Sequence, residues 1–170
     1  MRNRLVILSG LPGSGKSTFV KDYSEQAKKE GYNVVVISSD EIRKQVAGSY
    51  GNMNHENLVW ASFNSNIINA SKLDNTIVIL DATFLTNRKR YDYALKYKKY
   101  YRRIYLMVFV TEWEACLENN NNRDQEKWVP YHVMNNMRKS FELIDKYTCF
   151  SYFHSVEYRK IGDPIRIGLV

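Results

Sequence analysis

The sequence predicts an α/β fold in which a mostly parallel sheet carries helices on both faces. Short apolar runs bounded by turn residues alternate with longer helical patterns, which is the order typical of βαβ units. The apolar runs are continuous rather than alternating, as expected for strands that are covered on both faces. A chain of 170 residues without a recognisable linker fits one domain, which we expect to span residues 1–170.

The elements are predicted in an alternating order along the chain. The strands are four apolar runs, at residues 5–8, 34–37, 77–80 and 104–110. The first helix ends at Gly31, a residue suited to the left-handed conformation that terminates helices. Helices are predicted over residues 16–30, 40–46, 56–70, 88–101, 112–117 and 131–144. The aromatic and β-branched tail from Thr148 predicts a last strand, followed by a turn at residues 162–164.

The composition is that of a globular protein. Hydrophobic residues make up 44% of the chain and charged residues 25%, which excludes the disordered and low-complexity classes. Cys116 and Cys149 are too few for a disulfide framework and fit no metal-ligand spacing, so we expect a reducing, cytoplasmic compartment. No apolar run approaches the ~18 residues that cross a bilayer, so no membrane is expected as a partner.

The chain carries an excess of positive charge. It has 25 Lys and Arg residues against 18 Asp and Glu residues, a net charge of +7, and its isoelectric point is near 9.3. Such an excess favours an anionic partner, either a nucleotide or a nucleic acid. Charge alone does not decide between these two classes.

Residues 10–17 read GLPGSGKS and match the phosphate-binding pattern G-x-x-x-x-G-K-[ST] in full. The motif follows the first predicted strand and begins the first predicted helix, so backbone N–H groups and the helix N-terminus converge on a phosphate chain. Lys16 can then reach the β- and γ-phosphate oxygens, and the Ser17 hydroxyl can ligate Mg²⁺. The alternative is a glycine-rich turn that binds nothing. We therefore predict a site for ATP or another nucleoside triphosphate with Mg²⁺, formed by Gly10, Pro12, Gly13, Ser14, Gly15, Lys16, Ser17 and Thr18.

Two carboxylates follow predicted strands and are expected at one edge of the sheet. Asp40 and Asp81 come directly after the second and third strands, and the carboxyl ends of parallel strands line the ligand crevice. One carboxylate can accept the proton of an attacking hydroxyl, while the other holds Mg²⁺ through water or orients the acceptor. The structural alternatives are a helix N-cap at Asp40 and a turn cap at Asp81. Arg43, one turn after Asp40, can pair with an acceptor phosphate or remain a solvated helix charge.

Two segments interrupt the alternation and are expected to be mobile or substrate-facing loops. Residues 47–54 contain two glycines, and residues 118–128 contain four consecutive asparagines with mixed charge. Arg123 is the only arginine in the second loop. A lid that closes over a triphosphate needs a mobile cation, which Arg123 can supply; the alternative is an exposed loop arginine without a role.

The helix predicted from residue 88 interleaves basic residues with tyrosines. This pattern is typical of a stacking platform for single-stranded nucleic acid. We favour instead a covering helix, whose tyrosines pack on the sheet and whose lysines reach the solvent.

Several of these motifs occur together in one known family. They are GLPGSGKST at residues 10–18, Ser39-Asp40 with Arg43, Asp81-Ala82-Thr83 with Arg88 and Arg90 downstream, and Arg123 before Val129-Pro130. Over residues 4–145 the chain resembles the kinase module of bacteriophage-type polynucleotide 5′-kinases and their P-loop kinase relatives. The resemblance implies a P-loop NTPase fold of the kinase type, with a lid at about residues 118–130. These kinases often carry another arginine four residues before the lid arginine, where this chain has Asn119.

The resemblance also implies roles for individual residues. It implies that Asp40 is the general base, that Arg43 binds an acceptor phosphate, and that Asp81 and Thr83 lie on the substrate side. It implies that Lys16 and Arg123 stabilise the transferred phosphoryl group. We therefore expect transfer of the γ-phosphoryl of ATP to a hydroxyl, foremost the 5′-hydroxyl of single-stranded DNA or RNA. A kinase of small molecules or mononucleotides and a non-catalytic nucleotide-dependent binding module are the alternatives.

Overall fold

The computed structural model describes residues 3–145 and 149–165, and its strands form one five-stranded sheet. The sheet order is β2-β3-β1-β4-β5, and all neighbouring strands are parallel. The prediction of a mostly parallel sheet is therefore confirmed. The strands are β1 (Arg4–Ser9), β2 (Asn33–Ser38), β3 (Thr76–Asp81), β4 (Arg103–Phe109) and β5 (Ser155–Arg159).

The helices agree with the prediction in number and order up to residue 145, and one short helix near the C-terminus was not predicted. Gln125–Lys127 forms a single 3₁₀ turn between the fifth and sixth helices. Within the described ranges, no helix has the length and apolarity needed to cross a membrane. The helices are α1 (Lys16–Lys29), α2 (Ser39–Ala47), α3 (Glu56–Ala70), α4 (Asn87–Tyr97), α5 (Trp113–Asn121), α6 (Tyr131–Ser140) and α7 (Cys149–Tyr152).

Three helix ends differ from the prediction because tertiary contacts override local propensity. Helix α4 ends four residues early, where the chain turns and buries Tyr101, whose hydroxyl donates to the Ile67 carbonyl at 2.6 Å. Helix α6 also ends early, because the Glu142 N–H donates to the Leu85 carbonyl at 2.9 Å. Helix α5 continues to Asn121, because the neighbouring asparagine Asn120 is held by contacts described below.

Alternate residues of the central strands pack on opposite faces of the sheet. Leu5 and Ile7 face the core formed with α3 and α4, whereas Val6 and Leu8 face the core formed with α1. All four side chains are buried. This explains the continuous apolar runs in the sequence and confirms the prediction of helices on both faces.

The tyrosines of α4 pack inward, as the covering-helix interpretation predicts. Tyr97 is fully buried and its hydroxyl donates to Asn64 Oδ1 at 2.6 Å. Tyr93 packs edge-on against Phe84, with ring centroids 4.9 Å apart. The tyrosines are therefore part of the core, and a stacking platform on this helix is not supported.

Strand β1 lies at the centre of the sheet, between β3 and β4. Its carboxyl end opens at the middle of the edge where parallel sheets bind ligands. The chain enters the glycine-rich loop of residues 10–15 at this point and continues into α1. The predicted strand–loop–helix context of the phosphate motif is confirmed.

Candidate active site

The loop between β1 and α1 folds around the side chain of Lys16. The Lys16 ammonium donates to the carbonyls of Gly10 at 2.9 Å and Leu11 at 2.7 Å. Burial lowers the pKa of Lys16 from its ordinary 10.5, and the nearby carboxylate of Asp81 opposes this shift. A buried cation held by carbonyl dipoles is a position where an anionic ligand would be favourable.

Two glycines of this loop adopt left-handed backbone conformations that other residues rarely adopt. The φ angles are 75° at Gly13 and 98° at Gly15. A Cβ atom at Gly13 would lie 2.3 Å from the Cys116 carbonyl oxygen, and one at Gly15 would lie 2.8 Å from Ile161 Cγ1. The loop is therefore packed closely between α5 and the segment that follows β5.

The N-terminus of α1 is suited to an anion. In the part of the chain that the structure describes, no side chain caps this helix, and its first turn has no acidic residue. Ser14 Oγ is buried and has no hydrogen-bond partner among the described residues, which is unusual for a buried hydroxyl. Free N–H groups at a helix N-terminus and an unpaired hydroxyl fit the oxygens of a phosphate chain. Ser17 and Thr18 are exposed on the same turn.

The two predicted carboxylates lie at the same edge, beside Lys16. Asp81 ends β3, where it pairs in register with Ser38, and Asp40 lies two residues beyond Ser38 on α2. Burial raises the pKa of Asp81 above its ordinary 3.8; the charge of Lys16 opposes the shift and that of Asp40 adds to it. Arg123 acts on both Lys16 and Asp81 through its charge. The structure therefore brings together four predicted residues from four segments: Lys16, Asp40, Asp81 and Arg123.

Asp40 is not the N-cap of α2. The cap is Ser38, whose hydroxyl accepts a hydrogen bond from the Glu41 N–H at 3.4 Å. Asp40 is the second residue of the helix, and its side chain is 57% exposed. The cap interpretation is therefore wrong, and the carboxylate of Asp40 is not used to cap the helix.

Arg43 is buried and bound to two carboxylates, so the interpretation as a solvated helix charge is also wrong. Its Nη1 donates to Asp40 Oδ1 at 2.6 Å, and its Nε donates to Glu56 Oε1 at 2.6 Å. Glu56 also accepts from the Trp60 indole N–H at 3.1 Å. The hydrogen bond from Arg43 lowers the pKa of Glu56. Arg43 thus links Asp40 to the first residue of α3.

Glu56 was not among the predicted site residues. An acidic residue in the first turn of a helix is common, because it complements the helix dipole, so its position carries no distinct signal. Only the packing of α2 against α3 places it beside Arg43.

The lid segment, at about residues 118–130, forms ion pairs with α2. Lys127 of the 3₁₀ turn is 2.8 Å from Glu41, and Glu126 is 2.5 Å from Lys44. Arg123 lies between α5 and this turn and is half-buried. Among the described residues, no ion pair and no side-chain hydrogen bond holds its guanidinium. It remains available for an anionic ligand.

Two asparagines of α5 hold the lid segment, one through the phosphate loop and one through the end of the lid. Asn119 Nδ2 donates to the Gly13 carbonyl at 2.9 Å. The buried side chain of Asn120 donates to the Val129 carbonyl at 2.8 Å and accepts from the Val129 N–H at 3.1 Å. Asn119 occupies the position where the resemblance leads one to expect arginine, and its role here is to contact the loop backbone.

The segment after β3 is braced by backbone carbonyls. The Thr83 carbonyl accepts from the Gly10 N–H at 2.9 Å. Arg90 is fully buried and donates to the carbonyls of Phe84, Leu85 and Glu142 at 2.8, 2.9 and 2.7 Å. Burial lowers the pKa of Arg90 to about 10. Arg90 therefore fixes the loop that carries Thr83, whereas the side chain of Arg88 is 93% exposed.

With this geometry in place, comparison with known proteins identifies the family. The sequence matches the model of an AAA domain family over residues 5–144. The chain belongs to this AAA domain family. Its fold is that of P-loop kinases, as predicted.

One relative of this chain is a kinase named for an aminoacyl-tRNA. The chain is 30% identical over 141 residues to the L-seryl-tRNA(Sec) kinase of Methanococcus maripaludis, a match that covers 81% of this chain and 52% of the relative. The chain therefore spans about half the length of that relative.

Solved structures show the same fold. The Chaetomium thermophilum Kti12 structure, in complex with ADP-AlF3, superimposes with a TM-score of 0.73 at 18% identity and covers 94% of this chain and 90% of Kti12. A chain of the Pnkp1/Rnl/Hen1 RNA repair complex superimposes with a TM-score of 0.69 at 27% identity, covering 82% of this chain and 44% of that chain. The wider P-loop kinase resemblance is confirmed, while the narrower likeness to bacteriophage-type kinases stays a prediction.

Proposed function

We propose that this chain transfers the γ-phosphoryl group of ATP to a hydroxyl at the end of a polynucleotide, foremost the 5′-hydroxyl. The observation that carries the proposal is the convergence of Lys16, Asp40 and Asp81 at one edge of the sheet, under a lid that contributes Arg123. Phosphoryl transfer needs positioning and charge stabilisation more than covalent chemistry, and these four groups supply both.

The phosphate loop is the donor site in this proposal. Its backbone N–H groups and the N-terminus of α1 bind the phosphate chain, and Lys16 exchanges its carbonyl partners for the β- and γ-oxygens. Arg123, without an ion-pair partner in the described residues, approaches the transferred group from the lid. Mg²⁺, when bound with ATP, neutralises charge on the phosphate oxygens, and Ser17 and Asp81 carry the oxygen donors that it prefers.

Asp40 and Asp81 have different roles in this proposal. Asp40 is half-exposed and oriented by the hydrogen bond from Arg43, so it is the group placed to accept the proton of an incoming hydroxyl. Asp81 is less exposed than Asp40 and is close to Lys16, so we assign it to the Mg²⁺ and not to the acceptor. A positioned general base typically contributes about 10²- to 10⁴-fold in rate.

Arg43 as a ligand for an acceptor phosphate stays part of the proposal. Its Nη1 and Nε already donate to carboxylates. Binding a phosphate therefore requires that Arg43 give up one of its hydrogen bonds. The weakest of them is the one from Nη2 to Glu56 Oε2, at 3.4 Å.

A second acceptor is favoured by one observation. The 30% identity to L-seryl-tRNA(Sec) kinase over most of this chain supports a hydroxyl of a seryl group attached to tRNA. Both candidate acceptors are alcohols at the end of a nucleic acid, and both require the same donor site and base.

A phosphate-transfer screen tests the proposal. ATP labelled at the γ-position is incubated with 5′-hydroxyl oligonucleotides, seryl-tRNA, nucleosides, a 3′-phosphorylated nucleoside and sugars, with Lys16→Ala as the inactive control. We expect label on a nucleic-acid acceptor and much less on free nucleosides. Label on sugars alone would support a small-molecule kinase, and tight ATP binding without any transfer would support a binding module.

A further inference from the structure

The positive charge of this chain is concentrated in one short segment. Residues 88–103 contain eight basic residues and one acidic residue, a net charge of +7, which equals the net charge of the whole chain. The rest of the chain therefore has a net charge of zero. The segment is α4 together with the turn that leads into β4.

Most of these cations face the solvent. Arg90 is buried, but five others are exposed and define what we call the α4 cationic surface, formed by Arg88, Lys96, Lys98, Lys99 and Arg102. Within residues 3–145 and 149–165, the only carboxylate in ion-pair contact with them is Asp92, at 3.9 Å from Arg88. Lys96 and Lys99 instead rest near tyrosine rings, at 5.3 Å from the centroid of Tyr97 and 5.0 Å from the centroid of Tyr100.

The N-terminal end of α4, which carries Arg88 of this surface, lies beside the candidate active site. Lys89, in the first turn of α4, lies 3.7 Å from the ring centroid of Trp60, and Trp60 donates to Glu56. Glu56 in turn holds Arg43, the partner of Asp40. The N-terminal end of α4 is therefore linked to the proposed base by a continuous series of contacts.

The surface ends at the opposite edge of the sheet. Lys98, Lys99 and Arg102 line a cavity of about 370 Å³ together with Lys72 and one acidic residue, Asp74, which precede β3. Helix α4 has 11 residues, so it spans about 16 Å between the two edges at 1.5 Å per residue. One cation of the surface, Arg88, thus lies at the acceptor-side end of α4, and the other four lie at its far end and in the turn that follows.

We infer that the α4 cationic surface binds the phosphate backbone of the polynucleotide whose terminal hydroxyl reaches Asp40. The inference rests on the proposed function, for which it supplies the binding surface of the acceptor. A single strand that follows α4 over these roughly 16 Å brings several phosphates to the surface, each with one negative charge. Contacts of this kind position a nucleic acid without reading its sequence.

A polynucleotide fits this surface better than an acidic protein does. Protein interfaces have an apolar centre with charges depleted there, whereas the five cations of this surface are accompanied, among the described residues, by two exposed large apolar side chains, Leu95 and Leu73. Four of the five cations have no ion-pair partner among the described residues, and such lysines and arginines can release counterions from a phosphate backbone.

Two triple variants with the same net charge test the inference. Lys96, Lys98 and Lys99 are replaced by Gln in the first variant. Lys21, Lys28 and Lys29 are replaced by Gln in the second, since these exposed lysines belong to α1 on the opposite face of the sheet. Both variants lower the net charge from +7 to +4, so only the location of the charge differs.

Binding of a labelled 5′-hydroxyl oligonucleotide of about 12 nucleotides is measured by fluorescence anisotropy between about 50 and 200 mM salt. The α4 variant should lose affinity at least about tenfold, and its slope of log affinity against log salt should decrease by about 2, because each lost single-strand phosphate contact contributes about 0.7. The α1 variant should change less than about twofold in affinity, and a dinucleotide, which cannot span α4, should bind all three proteins alike.

Several results would overturn the inference. Equal losses in both variants would show a general field effect, and equal affinities in all three proteins would show that α4 does not contact the strand. Polyglutamate competing as well as an oligonucleotide of equal charge would indicate an acidic protein partner. Because the measurement needs no ATP, tight α4-dependent binding without phosphoryl transfer would contradict the proposed function and leave the surface standing. Phosphoryl transfer that is unaffected in the α4 variant would support the proposed function and contradict the role of the α4 cationic surface.

Discussion

Arg43 and Glu56 form a two-point ion pair beside Asp40. Arg43 Nε lies 2.6 Å from Glu56 Oε1, and Nη2 lies 3.4 Å from Oε2, which leaves Nη1 to donate to Asp40. A planar guanidinium held at two points cannot rotate freely, so its third contact has a fixed direction. Glu56 is therefore a positioning residue for Asp40.

Glu56→Gln is expected to lower kcat about tenfold or more while leaving ATP affinity unchanged, because it weakens the orientation of Asp40 and not the donor site. A double-mutant cycle checks this. In an Asp40→Asn background, where there is no carboxylate to orient, Glu56→Gln should cost no further rate. Fully additive losses would show that Glu56 acts independently of Asp40.

Asp40→Asn is expected to lower kcat by at least about 100-fold, because the amide cannot accept the proton of the attacking hydroxyl. ATP binding and the melting temperature should change little. Ser38→Ala is the matched control two residues away, since it removes the helix cap and should cost about 1 kcal/mol of stability with kcat unchanged. A stable Asp40→Asn protein with near-normal kcat would move the role of base to Asp81.

The strands, the phosphate loop and the positions of Asp40 and Asp81 could be predicted because each depends on local pattern. Continuous apolar runs specify buried strands, and the glycine motif specifies the loop before α1. Once the strands are parallel, residues at their carboxyl ends must meet at one edge. The positions of Lys16, Asp40 and Asp81 follow from these rules alone.

The remaining features depend on contacts between distant segments. Glu56 joins the site only because α3 packs on α2, and Arg90 is buried by carbonyls from two loops that no local pattern brings together. The helical state of the asparagines at the base of the lid depends on their bonds to Gly13 and Val129. Intrinsic propensity would place those asparagines in a loop.

Asp81→Asn is expected to lower activity and to raise stability at neutral pH. Burial raises the pKa of Asp81 above 3.8, so the folded chain holds this proton more tightly than the unfolded chain. The stabilisation from protonated Asp81 is complete below pH 3.8 and is lost as the pH rises through the raised pKa. Urea unfolding across the acid range should therefore show the wild-type chain losing free energy of unfolding relative to the variant, whose amide resembles the protonated acid. Parallel curves for the two proteins would contradict the shift.

Two ion pairs, Lys127 with Glu41 and Lys44 with Glu126, hold the lid on α2. Lys127 pairs with Glu41, and both Lys127 and Lys44 lie 4.7 Å from the ring centroid of Tyr50, whose hydroxyl is 3.1 Å from both carboxylate oxygens of Glu41. The pair is largely exposed, so it contributes about 1 kcal/mol or less and weakens with salt.

Lys127→Glu should therefore raise the KM for ATP several-fold and lower kcat, because repulsion from Glu41 opens the lid and withdraws Arg123 from the transferred phosphoryl group. Reversing both charges, Lys127→Glu with Glu41→Lys, should restore most of the loss, since the attraction is regained in the opposite sense. Steady-state kinetics at low and high salt measure both effects, and the difference between the single variant and the wild-type chain should shrink as salt is added. A charge-reversed pair as impaired as the single variant would mean that Lys127 acts on the nucleotide itself and that the contact with α2 does not control the lid.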